Sequence, residues 1–373
     1  MKDTILFGDC KDTLSEFLPQ SARTCVTSPP YYGLRDYGTA TWVGGDPNCN
    51  HRRDTKVNPK NCITGHKNHD EMAGVGDAIY KTVCPKCGAI RQDSQIGLEE
   101  TPEEYIENLV NVFRGVRDVL TDDGTLWVNL GDSYYNYRPG KGQSYPKQSV
   151  SKTKQDLPDE CNKRGNKLDG LKEKDLIGIP WLFAFAMRND GWYLRQDIIW
   201  HKPNPMPESV RDRCTKSHEY IFLFSKNRKY HYDNEAIKEP AKDWGTRDRT
   251  NGKYHNEGTG LQPHSGLTKS YPTKNKRSVW SVTNKPYREA HFATYPPDLI
   301  EPCILAGSEE GDTVIDPFMG AGTTAAVAKS LNRHYIGCEL NEDYGNLIQK
   351  RIQDYQPVNK VAQEPCINIL DII

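Results

Sequence analysis

Five residues near the amino end, Thr27-Ser28-Pro29-Pro30-Tyr31, combine hydrogen-bond acceptors, a stiff backbone and a flat ring. The exocyclic amino nitrogen of a nucleobase is a poor nucleophile because its lone pair is delocalised into the ring. Acceptors fixed on its two protons draw it toward tetrahedral geometry as an electrophile arrives. The Ser28 hydroxyl and the Pro29 carbonyl are such acceptors. Pro29 and Pro30 hold them still, since each fixes its own φ and restricts the residue before it. Tyr31 offers a face on which a base turned out of a duplex can stack. Taken alone, the same residues also fit a rigid loop or a polyproline-type ligand. The β-prone run Arg23 to Thr27 puts the turn at a strand's carboxyl end, where open α/β sheets bind ligands.

Far along the chain stands Asp316-Pro317-Phe318-Met319-Gly320-Ala321-Gly322-Thr323-Thr324. Thr313 to Ile315 reads as a buried strand, Asp316 to Gly322 as a tight turn and Thr323 to Leu331 as a small-residue helix. His334 to Cys338 reads as a second strand ending at Glu339. That βαβ unit has an acid at its tip suited to ribose hydroxyls. No Gly-Lys-Ser/Thr follows the glycines, and Asp316 puts negative charge where a phosphate would want an electropositive nest. A nucleotide-like cofactor with an ammonium group fits better, and S-adenosylmethionine has one. Asp9, after Ile5-Leu6-Phe7-Gly8, is either a second strand-tip acid for the cofactor's adenine or the cap of a helix from Lys11 to Phe17.

The order of these motifs resembles the β-class DNA amino-methyltransferases, the permuted group in which the Ser/Asp-Pro-Pro-Tyr turn precedes the glycine turn. Gly8-Asp9, Leu126 to Ser133, Trp200-His201-Lys202 and His291 to Pro296 are similar to further segments of that family, in the same order. The resemblance implies a circularly permuted, Rossmann-like doubly wound α/β sheet. It implies base chemistry at Ser28, Pro29, Pro30 and Tyr31, and S-adenosylmethionine held by Asp9, Thr27, Asp316, Phe318, Gly320, Gly322, Thr323 and Glu339. Trp200 would either wall the base pocket or be an ordinary core tryptophan, and His201 and Lys202 would line the pocket or meet DNA. Ser in place of Asp or Asn before Pro-Pro-Tyr points, within the family, to cytosine N4 as the acceptor, with adenine N6 the alternative. Double-stranded DNA is the implied partner; a homodimer and a cognate restriction endonuclease are compatible with it. A non-catalytic, zinc-containing DNA-binding protein on the same scaffold is a second reading, and cofactor binding separates the two. A nicotinamide enzyme is a third, since Gly320-x-Gly322-x-x-Ala325 fits a looser dinucleotide pattern, but the Ser28 turn has no role in hydride transfer.

With 373 residues the chain can bury one large α/β core plus appended elements, and its formal charge of −1 does not mark a general polyanion binder. Local clusters at Arg211, Arg213 and Lys216, and at Lys274, Lys276 and Arg277, could meet phosphates or form a solvated face. No apolar run is long enough to span a bilayer, and no signal peptide precedes the first strand, so a cytoplasmic protein is expected, nucleoid-associated in a bacterium or made from a phage genome in one. Eleven cysteines, an odd count at irregular spacing, do not read as a disulfide framework. Cys49-Asn50-His51 and Cys84-Pro85-Lys86-Cys87-Gly88 instead resemble the knuckles of a structural zinc site, with Cys62, His66 and His69 as competing ligands.

The chain divides as follows. Residues 1–40 carry the catalytic motif and 41–97 the zinc-type insertion. Residues 98–239 continue the core, interrupted by a Lys/Gly/Ser-rich loop at 136–171. Residues 240–279 are the target-recognition candidate, and 280–373 form the cofactor half. Within them, Thr101 to Glu104 has a capping-box look, Asp122-Asp123-Gly124 should stop the helix that follows, and Leu299 to Leu305 is an apolar helix.

Overall fold

Thr101 caps the helix that its sequence announces: its side chain accepts the Glu104 N–H at 3.2 Å, and Pro102 occupies the first turn. The buried side chains Tyr105, Ile106, Leu109, Val112, Phe113 and Val116 recur at helical spacing and give it one core face. This computed structural model describes residues 2–33, 37, 39–51, 80, 82–135, 168, 170–241, 272–284 and 294–356. In chain order its elements are β1 (Thr4–Phe7), α1 (Cys10–Thr13), β2 (Ala22–Thr27), β3 (Thr41–Val43), β4 (Ile90–Gln92), α2 (Pro102–Val119) and β5 (Leu120–Leu130). There follow α3 (Ile179–Asn189), β6 (Tyr193–His201), β7 (His218–Ser225), β8 (Glu239–Pro240), β9 (Thr273–Lys274) and β10 (Val279–Ser281). The last are α4 (Pro297–Gly307), β11 (Thr313–Asp316), α5 (Thr323–Ser330), β12 (His334–Glu339) and α6 (Gly345–Asp354).

Eight strands form one sheet in the order β1-β12-β11-β2-β5-β7-β6-β10, with every pairing parallel except the two that β7 makes. Alternation along the strands sends side chains to two cores. Cys25, Leu126, Val128, Leu130, Phe222 and Phe224 pack with helices α2 and α3 on one face. Val26, Trp127, Ile221 and Leu223 pack with α4, α5 and α6 on the other. Cys303 is fully buried in that second core, as expected of an apolar helix.

Asp122-Asp123-Gly124 does not end α2. The helix stops at Val119, and β5 already begins at Leu120, because Leu120 pairs with Ala22 of β2 and the sheet captures the chain there. Adjacent strands β11 and β2 leave in opposite directions, one through α5 to β12 and the other through α2 to β5. Their carboxyl ends therefore flank the crevice of a topological switch point. Both motifs emerge there.

Candidate active site

Thr27, the last residue of β2, donates its hydroxyl hydrogen bond to Asp316 Oδ1 at 2.5 Å and so ties the two motifs together. Asp316 is fully buried. Its Oδ1 also accepts the Phe318 N–H at 3.0 Å, while Oδ2 accepts from the hydroxyls of Thr324 at 2.6 Å and Tyr295 at 3.0 Å. Four donors fill the acceptor capacity of one carboxylate. Asp316 thus stands as the internal anchor of the glycine turn rather than as an open partner for a cofactor ammonium, which corrects the charge argument drawn from sequence. Burial raises its carboxyl above the ordinary range.

The turn itself has φ of +54° at Gly320 and +79° at Gly322, and a Cβ on Gly322 would stand 2.8 Å from Ile348 Cγ2. Thr323 is buried at the first position of α5, and the Phe318 ring meets Phe113 edge-on at 6.4 Å. Glu339 Oε2 accepts the Gly320 N–H at 2.7 Å and Oε1 the Asn341 N–H at 2.9 Å. Two acceptor positions remain on this carboxylate for ribose hydroxyls, so the residues present fit a nucleoside cofactor. Asp9 accepts the Lys11 N–H at 2.9 Å and caps α1. Its helix-capping role is therefore present, and the other acceptor positions of the carboxylate are left for a ligand.

Burial raises the Glu339 carboxyl to about 7, against the lowering effect of the backbone N–H groups of Asn341, Gly320 and Leu340. The folded chain then keeps this proton to higher pH than the unfolded chain does. Stability linked to Glu339 is fully present below the ordinary carboxylate range and is lost as pH rises through about 7. Thermal melts of the cofactor-free protein should therefore lose midpoint more steeply between about pH 5 and about pH 8 than melts of Glu339→Ala. Parallel curves would remove the assignment.

On the other side of the crevice, Ser28 Oγ lies 3.5 Å from Asn129 Oδ1. The Tyr31 hydroxyl donates to Glu219 Oε2 at 2.7 Å and lies 3.1 Å from Asn129 Oδ1. Asn129 Nδ2 donates to the Tyr220 carbonyl at 3.0 Å, and Glu219 is ion-paired with Lys202. No hydrogen bond reaches the Pro29 carbonyl among the described residues, whereas the Pro30 carbonyl accepts from the Tyr105 hydroxyl at 2.8 Å. Gly131 leaves room for the Tyr31 ring: a Cβ there would stand 2.6 Å from Tyr31 Cε2. The Ser28-Pro29 pair is thus held with its acceptors available, which is the condition for gripping an amino group.

Of the two readings of Trp200, pocket wall or core tryptophan, the structure has the second. The residue is 3% exposed, packs in the second core and donates to the Val282 carbonyl at 2.8 Å. Lys202 lies over its ring at 4.2 Å and joins the Ser28 network through Glu219, while His201 alternates to the opposite face and meets Ser281 Oγ at 3.0 Å. Glu219 and Tyr105 escaped the sequence reading of the site, while Asn129 and Tyr295 fell inside segments similar to the family without being given a role. Asn129 did leave a signal, a polar residue inside an apolar strand.

Cys49, His51, Cys84 and Cys87 come together, with all four donor atoms within 4.8 Å of one another. Cys62, His66 and His69 lie outside the described residues, as does nearly all of 136–171 and most of 240–279. Of the basic clusters, Arg213 pairs with Glu208 at 2.6 Å, and Lys274, Lys276 and Arg277 surround Glu239 at 3.4 to 4.0 Å. No described helix is long and apolar enough to cross a membrane.

A doubly wound sheet with the Ser28-Pro29-Pro30-Tyr31 turn and the glycine turn together at its switch point is the permuted arrangement that the motif order implies. The N6/N4 methyltransferase model, described as a DNA methylase, matches residues 22–350, and the chain belongs to this family. It is 39% identical over 350 residues to Type II methyltransferase M.XycI of Xanthomonas campestris pv. cyanopsidis, spanning 94% of this chain and 87% of that protein. It is also 39% identical over 353 residues to Type II methyltransferase M.SmaI of Serratia marcescens, spanning 93% of this chain and 90% of the relative. Among solved structures, PvuII DNA methyltransferase (cytosine-N4-specific) is similar in fold, with a TM-score of 0.53 and 15% identity over 96% of this chain and 88% of that one.

Proposed function

We propose that this DNA methylase uses S-adenosylmethionine to methylate the N4 amino group of a cytosine turned out of duplex DNA. The observation that carries the reading is the Thr27–Asp316 hydrogen bond, which sets the Ser28 clamp beside the glycine turn across one crevice. When bound, S-adenosylmethionine supplies an electrophilic methyl group. Ser28 Oγ and the Pro29 carbonyl accept from the two amino protons, aligning the nitrogen lone pair with that methyl and stabilising the positive charge that develops on the nitrogen. Tyr31, braced by Glu219 and Gly131, backs the clamp and offers its ring to the base. Gly320, Gly322, Phe318, Thr323 and Glu339 receive the nucleoside portion of the cofactor.

The choice of cytosine rests on Ser28 standing where the family otherwise has Asp or Asn. It also draws on Lys202, a donor within the same network that suits the O2 carbonyl of the smaller base. The Type II naming of the relatives supports a place in a restriction-modification system. Nucleoside mass spectrometry of duplex DNA methylated in vitro is expected to give N4-methylcytosine. N6-methyladenine as sole product would overturn the cytosine assignment, and unmodified DNA would overturn the activity.

A further inference from the structure

We propose that Cys49, His51, Cys84 and Cys87 bind one zinc ion, and that this ion, by tying together the two legs of the insertion, holds the catalytic turn in place. Cys49 Sγ lies 3.7 Å from Cys84 Sγ, and Cys87 Sγ lies 3.5 Å from His51 Nδ1. A tetrahedral zinc with Zn–S of about 2.3 Å and Zn–N of about 2.0 Å has S–S edges of about 3.8 Å and S–N edges of about 3.5 Å. Those two edges already have that spacing and all four donors lie within 4.8 Å of one another, whereas a disulfide would require sulfurs at about 2.05 Å.

The surroundings are built to hold the donors. The Gly88 N–H reaches the Cys84 carbonyl at 2.7 Å, and the Cys84 N–H reaches the Ala89 carbonyl at 2.8 Å, curling the chain around both sulfurs. Gly45 lets the first leg pass: a Cβ there would stand 2.8 Å from both Cys87 Sγ and Ala89 Cβ. The His51 ring stacks on Trp42 at 4.2 Å and 14°, which fixes the imidazole.

Among the described residues of the insertion, no apolar cluster does the same work. Val43, Val83 and Ile90 are exposed, and β3 pairs with β4 over only three residue pairs. A two-stranded ribbon of that length is marginal by itself, and a metal is a usual staple for so small an element.

From the metal cluster the second leg runs through β4 to Gln95, Ile96 and Gly97, all buried. There Gln95 Oε1 accepts the Tyr37 N–H at 2.7 Å, and the Gly97 carbonyl accepts the Gly33 N–H at 2.8 Å. A Cβ on Gly97 would stand 3.0 Å from the Tyr31 carbonyl oxygen and 3.4 Å from Pro30 Cβ. This leg therefore lies directly against the exit of the Ser28–Tyr31 turn. Loosening the tip frees the strand that confines the turn, on the side of the base and away from the cofactor turn.

The metal assignment stands on the cluster alone; the bracing role rests on the methyltransferase reading. Elemental analysis of full-length protein purified without a metal-affinity tag should give about one zinc per chain. A zinc content near zero, or a Cys49–Cys84 disulfide found by mass spectrometry, would overturn the site. Cys87→Ser is expected to lose the zinc and to slow methylation by on the order of a hundredfold, with S-adenosylmethionine affinity by calorimetry unchanged. Should that variant not fold, wild-type protein stripped with a zinc chelator and then resupplied with zinc gives the same reading: methylation falls and recovers while cofactor affinity holds. Zinc-free protein that methylates at the full rate overturns the brace. Zinc-loaded protein that never methylates also overturns the brace, through failure of the chemical reading, and leaves the zinc content to support or overturn the site.

Discussion

Ser28→Ala is expected to slow methyl transfer by on the order of a hundred- to a thousandfold while leaving S-adenosylmethionine affinity unchanged. Its hydroxyl lies 3.5 Å from Asn129 Oδ1, so the proton can point to Asn129 and the lone pairs remain for an amino proton. Alanine removes one of two pre-oriented acceptors, and the remaining carbonyl of Pro29 cannot by itself pull the amino nitrogen out of conjugation. Tyr31→Ala should follow the same pattern, because Glu219 and Asn129 then lose the hydroxyl beside them. Single-turnover methylation and calorimetry measure the two quantities separately. A loss of cofactor affinity matching the loss of rate would place Ser28 on the cofactor side of the crevice and dismantle the clamp.

Asp316→Ala should destabilise the chain by about 3 kcal/mol or more, since it strands several buried donors at once. The hydroxyls of Thr27, Thr324 and Tyr295 and the N–H of Phe318 all converge on this carboxylate at zero exposure. Cofactor affinity should fall with it, as the turn from Phe318 to Gly322 loses its anchor. Chemical denaturation reads the first effect and calorimetry the second. A variant with wild-type stability but weakened cofactor binding would mean that Asp316 contacts the ligand directly and that the anchoring role is wrong.

Much of this protein could be read from local chemistry. The rigidity of Ser28-Pro29-Pro30-Tyr31 follows from proline's fixed φ, and the βαβ unit ending at Glu339 follows from a strand, a two-glycine turn and a small-residue helix in succession. That Cys49, His51, Cys84 and Cys87 come together was legible from Cys-x2-Cys and Cys-x-His spacing, because such spacing constrains a turn that closes on itself. Each of these depends on residues a few positions apart.

The tertiary structure decided what depends on residues far apart in sequence. Thr27 stands opposite Val128 in the register of β2 and β5, and Leu130 opposite Tyr220 in that of β5 and β7; these registers carry Asn129 and Glu219 to the Ser28 turn. Tyr295 reaches Asp316 from the irregular stretch just ahead of α4, in a segment that the family resemblance marked without assigning it this partner. Trp200 shows the limit most clearly. Its strand pattern says that it alternates with His201, but only the packing of α4, α5 and α6 decides that its face of the sheet is core rather than crevice. The chemistry was written in short motifs, whereas the supports that orient it were set by sheet register and by which face each helix covers.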